Sequence, residues 1–371
     1  MNESRTAPPP LPQVMQRYRV HMNSPFTGLF ARITGVNWRR LRARAHAFGD
    51  TEVSAAIDAY ERGRIDSFRA LKIVTTALIR LGDHRRYEAA LALFDPRFPL
   101  PERRLPRRFE GHGIGGGSLD VYRILGNGES AVFEKIYQRR GSSFRNMAFA
   151  HEALLPRVEG IAYPALREIR AGKRLAAAHF APIRYRRRRR YDVAAAARVV
   201  AALRAADVSD LEIPPHALRG RAHLIEAGLR AFPARIAATD PACAQALAAA
   251  LPRWHAIVEA FPRTVSHGDL NRPNIARDGH VIDWDEAGFH PYGYDPAYVA
   301  NQSTLFRDAG ALEAFFRQYF ERPGTPREDW IGFLYYFLHF MQQRPRQWRN
   351  DRLFAGVLAA LERELGCEPP A

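Results

Sequence analysis

One segment, residues 265–288, constrains the fold of this chain more than any other part of its sequence. It reads Val-Ser-His-Gly-Asp-Leu-Asn-Arg-Pro-Asn-Ile-Ala-Arg-Asp-Gly-His-Val-Ile-Asp-Trp-Asp-Glu-Ala-Gly. Two short apolar runs flank Asp278 and Gly279, a pair typical of two-residue hairpin turns. We therefore predict a hairpin whose open end carries Asn274 on one side and Asp283 on the other.

Three polar side chains of this segment form a set with a clear chemical use. Asp269 and Asn274 are five residues apart, which suits a loop that turns back on itself. An amide oxygen beside a carboxylate, here Asn274 and Asp283, suits Mg²⁺, which takes few protein ligands together with substrate phosphates. Asp269 is placed on the loop to accept a proton from an attacking hydroxyl. A base, an amide ligand and a metal carboxylate are the catalytic set of a kinase-type phosphotransferase.

The sequence before this segment gives an independent test of that interpretation. A kinase lobe requires a glycine-rich turn, then a strand lysine, then a glutamate on a helix that pairs with the lysine. Lys135 lies in a predicted strand and is one of only three lysines among 55 basic residues. Glu152 follows on a predicted helix as its expected partner, and Glu159 is the alternative. The predicted phosphate-binding backbone amides belong to Gly116, Gly117 and Ser118.

The motifs His267-Gly-Asp-Leu with Asn274, and Ile282-Asp-Trp, resemble those of the aminoglycoside phosphotransferase and choline kinase family. That family consists of small-molecule kinases with a protein-kinase-like fold, and the resemblance covers roughly residues 107–300. The roles it implies are catalytic base for Asp269, Mg²⁺ ligands for Asn274 and Asp283, loop hydrogen bonds for His267 and a C-lobe brace for Asp295.

The expected fold class is α+β, a protein-kinase-like two-lobe fold with an N-terminal helical extension. Strand patterns occupy 107–182 and predict a small β-rich N-lobe, in the order strand, glycine-rich turn, strand, strand, helix, strand, strand. Apolar spacing of three and four residues predicts a basic helical extension over 13–106 and a larger helical C-lobe, with the catalytic loop, over 183–371. The proline run in residues 1–12 predicts a disordered tail.

Three local predictions follow from finer patterns. Gly126-Asn127-Gly128 predicts a tight hairpin turn between two strands. A continuous helix is predicted over 144–158, and a long Ala/Leu-rich helical region over 193–259.

The formal net charge of +16 raises the question of an anionic partner. Six arginines fall within 184–190, and two uses fit them: a solvated surface, or contact with an anionic membrane or a phosphorylated glycan. Nucleic acid is not favoured, because the basic runs match no recognised docking motif. The chain has no long apolar run and no signal-peptide pattern, so we expect a cytoplasmic protein, peripheral to the inner membrane face if the arginines bind lipid.

The predicted function is transfer of the γ-phosphate of ATP or GTP, with Mg²⁺, to a hydroxyl of a small molecule. An amino alcohol, an aminoglycoside, a sugar and a cell-envelope precursor are the candidate acceptors. The alternative is a catalytically weak pseudokinase that acts as a binding or regulatory module. The chain lacks an Asp-Phe-Gly and Ala-Pro-Glu pair, which favours small substrates over proteins.

Two groups of residues have both a substrate-binding and a structural interpretation. Asp285, Glu286 and Asp295 offer acidic walls for a cationic acceptor, or hydrogen bonds within the loop. Four aromatic side chains could surround a substrate ammonium group by cation–π contacts, or could pack in the core: Trp330, Tyr335, Tyr336 and Phe340. Their helical spacing favours core packing.

Overall fold

A computed structural model gives the fold and describes residues 68, 71, 72, 75, 84–102, 105–112, 118–183, 190–219, 222–237, 240–303, 305–342 and 349–365. The chain divides into two compact units, Met1–Arg145 with Ala165–Pro182, and Asn146–Pro164 with Ile183–Ala371. The predictions for residues 1–12, for most of the extension, for Gly116 and Gly117, and for Arg184–Arg189 lie outside the described residues. The four predicted domain ranges stay predictions.

The first unit contains a five-stranded antiparallel sheet with the strand order β1-β2-β3-β5-β4. Its strands are β1 (Arg107–His112), β2 (Ser118–Leu125), β3 (Val132–Gln138), β4 (Leu166–Ala171) and β5 (Leu175–Phe180). The predicted order of strands is confirmed. The hairpin predicted at Gly126-Asn127-Gly128 is present, since Leu125 of β2 pairs with Val132 of β3. Its tight turn was wrong, because the connection runs through a 3₁₀ turn at Gly128–Ser130.

A helix of the extension, α1 (His84–Phe94), packs on one face of this sheet through a buried charge network. Arg123 on β2 is fully buried and forms ion pairs with Glu134 on β3 and, at 2.9 Å, with Glu88 on α1. His179 on β5 lies 3.2 Å from the second oxygen of Glu134. Burial raises the pKa of Glu134, but the attraction of Arg123 and the hydrogen bonds from His179 and Arg123 outweigh it, so the net shift is downward. The network therefore joins the extension to the middle of the sheet.

The residues after α1 are tied to the turn between β4 and β5. The carboxylate of Asp95 accepts hydrogen bonds from the backbone N–H groups of Arg174, at 2.6 Å, and Leu175, at 3.0 Å. Gly172 passes so close that a Cβ there would lie 2.3 Å from Oδ2 of Asp95. Part of the extension is therefore integral to the first unit.

The second unit is mostly helical, with one two-stranded antiparallel sheet. Its strands are β6 (Arg263–Ser266) and β7 (Gly288–Pro291). The helix α2 (Ser142–Phe149) begins in the first unit and ends in the second. The remaining helices are α3 (Val193–Ala205), α4 (Pro215–Arg219), α5 (Ala222–Ile236), α6 (Pro241–Glu259), α7 (Tyr294–Ser303), α8 (Ala309–Tyr319), α9 (Arg327–Met341) and α10 (Asp351–Leu365).

Two helix predictions needed correction. The segment 144–158 is not one helix, since α2 gives way to a π-helical turn at Ala150–Leu154 and a 3₁₀ turn at Leu155–Arg157. Pro156 accounts for the final break, because its ring nitrogen has no hydrogen to donate. The region 193–259 is helical but divided into the four helices α3 to α6. The side chain of Asp192 caps the start of α3, and that of Asp240 caps the start of α6.

The aromatic residues of α9 belong to the core of the second unit. Tyr335, Tyr336 and Phe340 are buried, and the hydroxyls of the two tyrosines contact His255 and Glu259. Trp330 stacks on Phe333. The burial of Tyr335, Tyr336 and Phe340 therefore excludes cation–π contacts between these three rings and a substrate ammonium group.

The α+β class predicted from the sequence is confirmed, with a β-rich unit and a larger helical unit. Within the described part of the chain, no helix combines the length and apolar character needed to cross a membrane.

Candidate active site

The hairpin predicted after Asp269 is present. Ile275 pairs with Val281, and the carbonyl oxygen of Asn274 accepts a hydrogen bond from the N–H of Ile282 at 2.9 Å. Asn274 and Asp283 therefore stand at the open end of the hairpin, on opposite sides, as predicted.

The turn that closes the hairpin differs from the predicted two-residue type. Gly279 donates its N–H to the carbonyl of Ala276, and Ala276 donates to the carbonyl of His280, which leaves a three-residue loop. A two-residue type I′ turn needs a positive φ at Asp278 as well. Only Gly279, at φ +95°, has one in this loop.

The carboxylate of Asp269 is held by three side chains. The hydroxyl of Tyr298 donates to Oδ1, while the Nδ2 groups of Asn271 and Asn274 donate to Oδ2 at 3.0 and 3.3 Å. Asp269 is itself half-buried and follows directly on the loop that leaves β6. The arrangement fixes the orientation of the carboxylate without closing it off from solvent.

His267 and Asp295 fix the backbone of the same loop. Nδ1 of His267 accepts the N–H of Asp269 at 3.2 Å, so Nε2 carries the hydrogen and donates to the carbonyl of Ile282 at 3.1 Å. The carboxylate of Asp295 accepts the N–H groups of His267, at 2.8 Å, and Gly268, at 3.1 Å. Asp295 is buried with both oxygens engaged, which leaves it a bracing role and removes it as an acidic wall for a substrate.

Gly268 supports a prediction about the stability of this loop. Its φ is +79°, and a Cβ there would lie 2.2 Å from the carbonyl oxygen of Glu286. Gly279 is a matched control, because its φ is also positive but a Cβ there meets nothing within 4 Å. We expect Gly279→Ala to cost about 1–2 kcal/mol, the strain of a left-handed alanine, and Gly268→Ala at least twice as much. Urea unfolding measures both, and equal losses would contradict the prediction.

Asp295 supports a prediction about pH. Burial raises its pKa from 3.8 to about 6, although the N–H groups of His267 and Gly268 lower it. The folded state then binds the proton more tightly than the unfolded state, so this group destabilises the fold as pH rises from about 4 to about 6. The difference corresponds to about 3 kcal/mol.

The Asp295→Asn variant, which cannot ionise, isolates this effect. We expect the stability of the wild type relative to Asp295→Asn to fall between pH 4 and pH 7, as measured by urea unfolding at each pH. A difference that stays constant or grows with pH would show that the carboxylate ionises without this penalty.

Asn274 and Asp283 fit a site for a hard divalent cation. One end of the Asn274 amide lies against two oxygens of Asp269, the backbone carbonyl at 2.8 Å and Oδ2. Both oxygens accept hydrogen bonds, so this end of the amide must be its nitrogen. The amide oxygen is therefore the atom that remains for a ligand, and carboxylate and amide oxygens are the donors Mg²⁺ takes. Asp283 has a left-handed backbone at φ 67° and ψ 60°, a strained state that concentrates at functional sites.

Residues around Asp283 show how its position is supported. Asp285 is buried, and its carbonyl oxygen accepts a hydrogen bond from Nδ2 of Asn146 at 3.3 Å. The ring centres of Trp284 and His267 are 4.5 Å apart. Nε1 of Trp284 donates a hydrogen bond to the carbonyl of Val281. The two residues that follow Asp283 thus anchor it, Trp284 through its ring and Asp285 through its backbone carbonyl.

The predicted nucleotide-binding residues divide between the two units. Lys135 in the first unit is buried on β3 with Nζ 5.1 Å from the ring centre of Tyr137 and 5.8 Å from that of Tyr122. Glu134 next to it belongs to the charge network on the other face of the sheet, as strand alternation predicts. Ser118 is buried at the start of β2, whereas Glu152 is exposed on the π-helical turn of the second unit. The pairing of Lys135 with Glu152 stays a prediction.

Sequence reasoning missed three residues that touch the catalytic loop. Tyr298 lies one turn after Asp295 on α7, so its helical spacing was a usable signal. Asn271 caps the 3₁₀ turn Arg272–Asn274 by accepting the N–H of Asn274, and Asn is among the preferred capping residues. Tyr191, whose hydroxyl donates to the carbonyl of Leu270 at 2.5 Å, is far away in sequence and gave no local signal.

Comparison with known proteins gives matches at the level of family and of solved structures. The model of the phosphotransferase enzyme family matches residues 111–331, more than half of the chain. No curated protein matches significantly.

Similar solved structures include a thermostable mutant of the aminoglycoside phosphotransferase APH(4)-Ia in a ternary complex with ADP and hygromycin B. It is 17% identical, covers 71% of this chain and 95% of its own, and has a TM-score of 0.42. An aminoglycoside-3'-phosphotransferase of type VIII is 17% identical, with coverages of 68% and 98% and a TM-score of 0.41. A putative fructosamine-3-kinase from Haemophilus somnus 129PT is 13% identical, with coverages of 71% and 90% and a TM-score of 0.41. These TM-scores are below 0.5, so the family assignment rests on the family match.

Proposed function

This chain belongs to the phosphotransferase enzyme family of small-molecule kinases, and we propose that it transfers the γ-phosphate of ATP or GTP to an alcohol. It has the protein-kinase-like α+β fold expected for that family. Asp269 is the base in this proposal. The acceptor is a hydroxyl of a small molecule, with amino alcohols, aminoglycosides, sugars and cell-envelope precursors as the candidates.

The observation that carries the proposal is the environment of Asp269. Hydrogen bonds from Tyr298, Asn271 and Asn274 hold its carboxylate in one orientation, half-exposed at the end of a braced loop. A carboxylate with a structural role alone would be expected to point into its partners and be buried, as Asp295 is. Positioning is most of what phosphoryl transfer requires from a protein.

The proposed reaction assigns a step to each of these side chains. Asp269 orients the acceptor hydroxyl and takes its proton as the new oxygen–phosphorus bond forms. The bond between the γ-phosphorus and its bridging oxygen breaks, the nucleoside diphosphate leaves with the bonding electrons, and the proton is later lost to water. Asn274 and Asp283 would hold Mg²⁺, which supplies positive charge to the phosphate oxygens when bound. Lys135 is proposed to bind the phosphates as well, since an ammonium acts on them as a point charge.

The experiment is a screen for transfer across the four acceptor classes with ATP and GTP, with and without Mg²⁺. Wild type is compared with Asp269→Ala. Nucleoside diphosphate release that depends on an acceptor and on Mg²⁺, and that is lost in the variant, would support the proposal. Folded wild-type protein that binds neither MgATP nor MgGTP would contradict it and favour the binding-module alternative.

A further inference from the structure

Of the three donors to the carboxylate of Asp269, Tyr298 is the one on a helix outside the loop. It lies on α7, is 7% exposed, and its hydroxyl donates to Oδ1 of Asp269. Its ring packs edge-on against Phe340, with 5.1 Å between the ring centres and 89° between the planes. Phe340 is itself 2% exposed in the core. A rigid side chain on a rigid helix therefore delivers a hydroxyl to one oxygen of the proposed base.

The helix that carries Tyr298 is fixed to the catalytic loop at a second place. Asp295, three residues earlier, accepts two backbone N–H groups of that loop. Tyr294, four residues earlier, donates to the carbonyl of Gly268 at 3.4 Å. Residues three and four apart share a helix face, so α7 presents all three to the loop. Asp295 and Tyr294 engage the backbone, whereas Tyr298 engages the carboxylate that is proposed to react.

The hydroxyl of Tyr298 differs chemically from the other two groups on that carboxylate. The amide nitrogens of Asn271 and Asn274 can only donate. A phenol donates and accepts, so Tyr298 can donate to the carboxylate before proton transfer and accept from the carboxylic acid after it. It can therefore keep one orientation of Asp269 in both protonation states, without moving its ring.

We propose that Tyr298 is a positioning residue for the base: its hydroxyl holds Oδ1 of Asp269 in the orientation that receives the acceptor proton. This inference rests on the proposed function and deepens it. Because its hydroxyl contacts the proposed base, we expect Tyr298 to contribute to the chemical step and not to nucleotide binding.

The test compares Tyr298→Phe with Tyr336→Phe. Tyr336 is a fully buried tyrosine whose hydroxyl also donates to a carboxylate, that of Glu259 at 3.1 Å, and it makes this bond between α9 and α6. Each variant loses a hydroxyl that donates to a carboxylate. Three quantities are measured for each variant. The first is the rate of ADP release from MgATP, with the acceptor identified in the screen or with water as the acceptor. The others are the Kd of MgADP and the free energy of unfolding in urea.

We expect Tyr298→Phe to lower kcat by about 10- to 100-fold, the loss typical of a hydrogen bond to a charged group, with KM for MgATP and the Kd of MgADP within about twofold. Tyr336→Phe is expected to lose stability but keep its kcat. Wild-type kcat in Tyr298→Phe, or equal losses of kcat in the two variants, would overturn the inference.

A double-mutant cycle with Asp269→Ala separates this inference from the function on which it rests. If Tyr298 acts through Asp269, then Tyr298→Phe changes the residual rate of Asp269→Ala by less than about twofold. Independent, additive losses would overturn the positioning role and leave the function intact. An Asp269→Ala variant that keeps wild-type turnover would remove the base assignment itself.

Discussion

Asp269→Asn is expected to lower kcat by about two to four orders of magnitude, because an amide cannot take the proton of the acceptor hydroxyl. The substitution also disturbs the hydrogen bonds of the site. Three donors, on Tyr298, Asn271 and Asn274, converge on the two oxygens of the carboxylate. An asparagine has one oxygen, so its NH₂ group must face a donor on one side. The Kd of MgADP, measured by calorimetry, is expected to change by less than about threefold.

Two further variants make this prediction specific. Asp269→Ala removes the base without introducing a competing donor, and is expected to lose kcat to the same extent. Asp278→Asn alters an exposed aspartate in the turn of the same hairpin and is expected to leave kcat unchanged. The base assignment fails if Asp269→Ala retains more than about a tenth of the wild-type kcat, since general-base catalysis contributes at least a hundredfold.

Arg123→Met is expected to destabilise the first unit by about 3–5 kcal/mol. The guanidinium is fully buried between Glu134 and Glu88 and lies 4.8 Å from the ring centre of Tyr87. Methionine fills a similar volume but leaves the carboxylate of Glu134, which is 2% exposed, without its main counter-charge. A buried charge left without its partner typically destabilises a fold by about 3–5 kcal/mol, whereas the intact pair adds far less than this to stability. Urea unfolding followed by circular dichroism measures the loss.

The control for this prediction is an exposed pair in the same sheet. Arg170 and Glu168 on β4 are 38% and 49% exposed, so Arg170→Met is expected to cost no more than about 1 kcal/mol. Replacing Arg123 and Glu134 together by methionine is expected to recover more than half of the loss, because the buried charge is then gone. Equal costs for Arg123→Met and Arg170→Met would show that the network contributes no more than a surface pair.

The sequence allowed prediction of those parts of the molecule that depend on short-range patterns. Strand alternation was sufficient to place Lys135 and Glu134 on opposite faces of β3, and the hairpin could be predicted from two apolar runs around a turn. The exact turn could not, because an Asp-Gly pair fits both a two-residue and a three-residue loop. Long-range partners could not be predicted either: Tyr191 reaches Leu270 across 79 residues, and Glu88 reaches Arg123 across 35.

The same limit explains why Tyr298 was missed while Asp295 was identified. Asp295 stands in a motif whose spacing is recognisable, whereas Tyr298 acquires its role only when α7 is placed against the loop. Its place three residues after Asp295 is compatible with simple core packing, which is the commoner use of a buried tyrosine. Only the contact between its hydroxyl and Oδ1 of Asp269 separates the two interpretations.

The helix His84–Phe94 bears on how much of the chain is needed to make a stable first unit. The family match starts at residue 111, yet α1 supplies Glu88 to Arg123 and buries Tyr87, Leu91 and Phe94. A fragment cut at the family boundary would therefore expose an apolar sheet face with a half-compensated arginine in its centre, a surface prone to aggregation. The smallest autonomous fragment must start before His84, which makes part of the extension a structural component of the kinase domain and not a separate appendage.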